Sequence, residues 1–262
     1  MAAASGSRDP RLERVFGEVP REAFLPPGPW LIVVDDLIFE TPDSDPAHLY
    51  QDALVVIDAE KGINNGQPFL HAAWIGAALP QSGETVTHVG AGTGYYTAVL
   101  AALVAPGGKV TAFEIEEDLA REAQRHLEPY GVTVIAGDAT AAALPQSDLI
   151  YVNAAMAAPP AAWLSALTDG GRMIFPWQPA GDVGLTLLVT RRPAGFAVEP
   201  LMSTLFIRCT GALAFRDCTM TPGRSEARSV RSVWVAAERP PDATAVAVCG
   251  EVWFSSAELM EP

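Results

Sequence analysis

The sequence is poor in cysteine and in positive charge. Cysteine stands only at positions 209, 218 and 249 of 262. An odd and scattered set argues against a disulfide framework or a structural zinc site, so no metal is expected. Lysine and arginine number 17 against 31 acids, for a net charge of −14. A field of that sign repels a phosphate backbone, which argues against nucleic acid as a partner. No apolar run is long enough to span a bilayer, so no membrane partner is expected either. The opening Met1 to Arg8 lacks the apolar core of a secretion signal and reads as disordered. These absences together make a soluble cytoplasmic protein the default expectation. Internal repeats and low-complexity tracts are also lacking.

What is present is a hydrophobic fraction of 49% with 18% charged residues, enough for a sizeable α/β core with an appendage, or for two small domains. Arg11 to Phe24 has helical periodicity through Leu12, Val15, Phe16 and Val19. Ala53 to Ile57 reads as a strand, Gly62 to Pro68 as a polar turn and Phe69 to Leu79 as a helix. From residue 85 onward strands and helices alternate: strands at 85–89, 109–114, 132–136 and 148–153, helices at 95–104, about 117–128 and near 160–167, then a strand from Arg172 to Phe175. Such alternation predicts a parallel sheet covered on both faces, with ligands at the carboxyl ends of its strands. After Pro179 the pattern is strand-like, at Val183 to Thr190 and Leu201 to Cys209. The runs Val230 to Ala236 and Ala245 to Phe254 read as a terminal hairpin joined through Glu238–Asp242.

The strongest chemical signal lies at the end of the strand over 85–89, where Gly90-Ala91-Gly92-Thr93-Gly94-Tyr95 opens a helix. Glycines there let the backbone bend sharply and a ligand approach closely. The dinucleotide fingerprint needs a third glycine where Tyr95 stands. The spacing found here is more typical of proteins that bind S-adenosylmethionine. Glu114, at the end of the next strand and twenty residues after Gly94, has the position that ribose hydroxyls require. Both ligand classes use such an acid, so it does not choose between them. Asp138 and Asn153 also fall at strand ends.

From about Arg14 to Gly211 the chain resembles the protein-L-isoaspartate O-methyltransferase family. The resemblance is carried by Val19-Pro-Arg-Glu-Ala-Phe24, by Asp148 to Ala155, by Pro160 and Leu167 to Pro176, and by Glu199 to Met202 through Phe206 to Thr210. It implies an α/β, Rossmann-like class I methyltransferase with a seven-stranded, mostly parallel sheet, here followed by a C-terminal β-rich extension. The implied partition is an N-terminal capping segment over 1–80, a cofactor-binding core over 81–211 and the extension over 212–262. The implied cofactor is S-adenosyl-L-methionine. Gly90, Ala91, Gly92, Gly94 and Tyr95 would hold its methionine end, Glu114 its ribose and Ile115 its adenine. Asp138 and Ala139 would meet the adenine amino group, with Asn153 and Thr210 beside the site. The implied reaction methylates a carboxylate of a protein or peptide. A carboxylate is ionised at pH 7 and needs no general base, so catalysis rests on proximity and the exclusion of water.

The chain departs from the family just before the glycine turn. Where the family carries Ile-Ser-x-Pro-His-x-His, this sequence reads Ile63-Asn-Asn-Gly-Gln-Pro-Phe-Leu-His71. Gly66 takes the place of the active-site serine, Phe69 that of the first histidine, and His71 retains the second. Asn64, Asn65, Gln67 and His71 are therefore the candidate catalytic residues, their amides and ring offering donors to a carboxylate. Restoring the serine at position 66 is expected to raise activity on isoaspartyl peptide. His88 replaces the acid usual two residues before the first glycine. Each has a plainer reading. His88 fits a core histidine, His71 a packing residue, Asn64 and Asn65 a turn, and Glu116, Glu117 and Asp118 a helix start. Trp234 and Trp253 fit core or interface. Two other functions stay open: a peptide- or small-molecule O-methyltransferase with a different acceptor, and a non-catalytic interaction protein. The sequence does not indicate an oligomeric state.

Overall fold

A computed structural model describes residues 5–7, 9–34, 37–215 and 217–260. The expected disorder of the first residues falls partly on positions 1–4 and 8, outside the described residues. The chain divides into two interleaved compact units. One is built from the chain up to Glu84 together with Ala91–Ala136, the other from Thr85–Gly90 together with the chain beyond Ala136.

The first unit begins with helix α1, Pro10–Glu18, which Asp9 caps by accepting the Arg11 amide. Leu12, Val15 and Phe16 form its buried stripe. The helix stops at Glu18 rather than running on to Phe24, because Pro20 cannot continue it; Arg21–Phe24 is a separate 3-10 turn. Four short strands follow: β1 (Leu31–Val34), β2 (Leu37–Glu40), β3 (Leu54–Asp58) and β4 (Ile63–Asn64), in the order β2-β1-β3-β4. Leu25, Trp30, Ile32, Leu49, Ala53 and Val55 form a core beneath them. Helix α2 spans Pro68–Ala78. Beyond strand β5 (Thr85–Val89), which belongs to the second unit, come α3 (Tyr95–Val104), β6 (Lys109–Glu114), α4 (Glu117–Leu127) and β7 (Thr133–Ala136). β6 and β7 pair in parallel, with Glu114 opposite Ala136, so β6-α4-β7 is a βαβ unit.

The second unit contains β5, β8 (Ser147–Val152), α5 (Ala161–Ser165), β9 (Leu167–Ala180), β10 (Val183–Arg192) and β11 (Gly195–Ser203). It continues through β12 (Cys218–Met220), α6 (Arg224–Ala227), β13 (Ser232–Val235), β14 (Ala245–Cys249) and β15 (Val252–Ser255). Its strands lie in the order β12-β14-β15-β13-β11-β10-β9-β8-β5. Among the described residues of this unit, the parallel strand ladders are β5 with β8 and β8 with β9. All other ladders there are antiparallel. The expected mostly parallel sheet is thus confined to the alternating part of the chain, and the short turns that join β9 to β10 and β10 to β11 make those neighbours antiparallel.

Two sequence expectations are corrected here. The run from Ala245 to Phe254 is two strands with a turn at Gly250, and β13 pairs with β15 rather than with β14. The long strand expected over 201–209 instead ends at Ser203, as part of β11. Cys218 and Cys249 stand opposite one another on β12 and β14 and form a disulfide. Their separation of 31 residues hid the pairing from the sequence; only strand register makes them neighbours. Trp253 and Phe254 on β15 are fully buried, and Phe254 packs on Trp177 of β9 at 4.7 Å. Among the described residues no helix is long and apolar enough to cross a membrane, and no cluster of side chains is arranged to hold a metal.

Candidate functional site

The loop from β4 into α2 is held mostly by residues remote from it in sequence. Asn64 Oδ1 accepts the Gly66 amide at 2.9 Å, closing an Asx turn. The Asn65 amide donates to the Val55 carbonyl. Arg21, 1% exposed, sits beneath the loop and donates through Nε to Asn65 Oδ1 and through Nη2 to the Gly66 and Ala53 carbonyls, each at 2.9 Å. Its Nη1 donates to Leu49 O. Gln67 Nε2 donates to Asp52 Oδ2 while the Phe69 amide donates to Asp52 Oδ1, so Asp52 caps α2 from a distant part of the chain. Pro68 at the first helical position has no amide to satisfy.

His71 is 1% exposed, stacks on Tyr96 at 3.7 Å and meets the edge of Trp74 at 5.5 Å. Tyr96 in turn donates to the Gly66 carbonyl at 3.2 Å. Gly66 has φ +65, and a Cβ there would collide with His71 Nε2. The imidazole therefore occupies the space that a side chain at position 66 needs. The expectation that serine at 66 would restore activity is corrected on this ground: the substitution collides with His71 and requires an unfavourable backbone conformation.

In the first unit, the glycine turn leans on β6. The Ala91 amide donates to Phe113 O, and the Gly92 amide donates to Glu114 Oε2 at 2.6 Å. The Glu116 amide takes the other oxygen at 3.0 Å. Gly92 has φ +56 and open space where a Cβ would stand. Gly94 has φ +102, and a Cβ would lie 2.9 Å from Leu127, so this glycine also lets α4 close on the turn. Burial pushes the Glu114 carboxyl up from its ordinary value, with the Glu116, Gly92 and Ile115 amides opposing. Ile115 is exposed. Tyr95 is buried against Phe24 and Phe16, and burial pushes its phenol up to about 12. The Thr93 carbonyl accepts from His126 Nδ1, whereas its buried hydroxyl has no partner among the described residues.

In the second unit, Gly90 has φ +78 and lies against Asn153, whose amide donates to Val89 O. Asn153 Oδ1 is buried with no partner among the described residues. Asp138 fastens the segment after Thr210. Its Oδ1 accepts from the amide and hydroxyl of Thr140, and Oδ2 from the Ala212 amide. Thr140 Oγ1 also accepts the Leu213 amide. Burial raises the Asp138 carboxyl, but these donors outweigh it and hold the group below the usual carboxylate range. Gly211 fits because a Cβ would come within 2.6 Å of Asp138 Oδ1. Thr210 itself is exposed, and Ala139 is buried with its carbonyl accepting from Trp163 Nε1. His88 is fully buried at the edge of Tyr151, and burial lowers it to about 3, so it is neutral at pH 7.

Sequence reasoning missed Arg21, Asp52, Tyr96 and Thr140. Arg21 lies within the Val19–Phe24 segment singled out for its resemblance, but most of its partners are backbone carbonyls that no side-chain pattern reveals.

Comparison with known proteins gives the family and the fold. The family model described as protein-L-isoaspartate(D-aspartate) O-methyltransferase matches residues 5–214. The chain belongs to that family. Among relatives named protein-L-isoaspartate O-methyltransferase, one from Methylorubrum populi is 35% identical over 198 residues, covering 74% of this chain and 83% of the relative. One from Ignicoccus hospitalis is 31% identical over 196 residues, covering 72% and 84%. A third, from Aeropyrum pernix, is 36% identical over 167 residues, and the match spans 59% of this chain and 64% of that relative. A solved structure titled protein-L-isoaspartate O-methyltransferase superposes with TM-score 0.68 at 21% identity, over 94% of this chain and 82% of that one. Another, from Plasmodium falciparum and in complex with S-adenosyl-L-homocysteine, gives 0.61 at 17% identity over 77% and 90%. Both show a shared fold.

Proposed function

We propose that the chain is an S-adenosylmethionine-dependent O-methyltransferase that acts on a carboxylate of a protein or peptide. The observation that carries this is the strand-end glycine turn closed onto Glu114 through the Gly92 amide, in a chain whose family match runs over residues 5–214. The residues present suit the cofactor. Gly92 leaves open space at the turn, and Thr93 Oγ1 and Asn153 Oδ1 are buried polar atoms still lacking partners among the described residues. Glu114 Oε2 accepts the Gly92 amide and Oε1 the Glu116 amide, which leaves lone pairs on the carboxylate for a ribose hydroxyl. In the first unit Ala91, Gly92, Gly94 and Tyr95 are assigned to the methionine end, with Ile115 beside the adenine. In the second, Gly90, Asn153, Asp138, Ala139 and Thr210 are assigned to the cofactor.

The cofactor supplies an electrophilic methyl group, and the acceptor supplies an oxygen already ionised at pH 7. This chain's part is to orient that oxygen and exclude water. Asn64 and Asn65 use their Oδ1 atoms within the protein. Their Nδ2 groups are left to donate to the acceptor, and Gln67 keeps a further amide hydrogen. His71 is assigned a positioning role, holding Gly66 and Tyr96 in place. The Cys218–Cys249 disulfide stands against the cytoplasmic setting that the sequence suggests, since thiols stay reduced there.

The collision between residue 66 and His71 favours a second reading, in which the acceptor is a carboxylate other than isoaspartate. Methyl transfer to an isoaspartyl peptide, beside its ordinary aspartyl twin, tests the two. Transfer to the isoaspartyl peptide alone supports the family reaction, and transfer to the aspartyl twin supports the second reading. Absence of S-adenosylhomocysteine binding by calorimetry would overturn both.

A further inference from the structure

The four-stranded sheet of the first unit has two edges of different character. β4 at one edge ends in Asn64 and runs directly into the proposed acceptor loop. β2 at the other edge pairs only with β1 among the described residues, and all four of its residues are exposed. Leu37 is 60%, Ile38 66% and Phe39 49% exposed. An accessible strand edge this apolar is a template for another extended chain.

Charge decides what kind of chain. Residues 22–60 contain nine acids and no lysine or arginine, and Glu40 closes β2 itself. A second copy of this protein would bring two such acidic segments together and meet repulsion. An anionic membrane surface would be repelled likewise. An extended polypeptide that alternates apolar and basic residues satisfies both the edge and the field.

We propose that β2 is a docking strand for the protein acceptor, which adds beside it as a fifth strand through a basic and apolar segment remote from the methylated residue. This rests on the reading of the acceptor as a protein or peptide. The added strand would lie four strand spacings from β4, about 19 Å, which an extended chain covers in about six residues. Short acceptors that end within that distance would gain nothing from the edge.

The test uses the full chain and a probe without any carboxylate: a C-terminally amidated peptide of about ten residues alternating lysine and valine. Fluorescence anisotropy should show salt-sensitive binding to the wild type. Leu37→Lys/Ile38→Lys should weaken it by about tenfold or more, and Glu40→Lys by a smaller factor. These side chains are exposed, so thermal melting should not change. With a methyl acceptor carrying the same basic extension at least about six residues away, the double variant should raise KM by a similar factor and leave kcat unaltered. Acceptors without the extension should not distinguish wild type from variant. Equal peptide binding by wild type and double variant would overturn the proposal, as would a wild-type dimer that the double variant converts to monomer, since a second copy would then cover the edge. Peptide binding lost in the double variant, in a protein that methylates no acceptor, would uphold the docking strand and refute the enzymatic reading separately.

Discussion

The turn at Ala91–Gly94 and the loop at Asn64–His71 both belong to the first unit, but they are built from different materials. The turn is made of backbone: the Gly92 amide on the Glu114 carboxylate and the Ala91 amide on the Phe113 carbonyl, with glycines wherever the chain takes a left-handed conformation. It asks little of its neighbours beyond Glu114 and Leu127. The loop is made of interlocked side chains, in which Arg21, Asn65, Tyr96 and His71 each fix another or fix Gly66. A backbone device tolerates drift in the surrounding sequence. A side-chain device is coupled, so any side chain placed at position 66 must contend with the His71 imidazole that fills that space.

Arg21→Met is the most severe test of the loop. It leaves the Leu49 and Ala53 carbonyls without that donor inside the core, and we expect a loss of about 4 kcal/mol in urea-unfolding stability. If stability were unchanged, the loop would not depend on its buried cation. Glu114→Ala tests the turn at a cost of about 3 kcal/mol in binding, roughly a hundredfold in S-adenosylhomocysteine affinity by calorimetry. Its effect on folding should be smaller than that of Arg21→Met. Gly66→Ser should lower stability by about 2 kcal/mol, since it combines a positive φ with a buried clash. His71→Ala in the same chain should return part of that loss. A double-mutant cycle with no coupling would show that the two positions are independent.

At pH 7 the smallest effect concerns the strand that feeds the turn. His88 is held down to about 3 by burial, against an ordinary value of 6.5. The unfolded chain therefore takes up a proton below pH 6.5 that the folded chain refuses. The His88 contribution is fully present above pH 6.5 and is lost as pH falls toward 3, with a slope of about 1.4 kcal/mol per pH unit. His88→Leu should flatten the slope of melting temperature between those limits.

The same contrast explains what was legible in the sequence. The segments at 85–89, 95–104 and 109–114 were delimited by periodicity alone, because each is a regular element bounded by glycine or a charged residue. The turn and its acid followed from spacing. The loop residues Asn64, Asn65, Gln67 and His71 were located, but not the partners that hold them. Arg21 acts across 28 residues or more and Asp52 across 15 and 17, on a backbone amide as well as a side chain. The C-terminal strands were recognised as strands but wrongly paired. Two apolar runs of equal character carry no record of register, and a turn inside the second run at Gly250 was not separable from a bulge.

The Cys218–Cys249 bond encloses β12, α6, β13 and β14 in a covalent ring. A protease that cuts once within that ring adds the mass of one water and releases nothing. Reduction then separates two fragments that had travelled as one. Comparing the protein on reducing and non-reducing gels after limited digestion maps the exposed turns of this segment, and the segment keeps its strand partners while it is mapped.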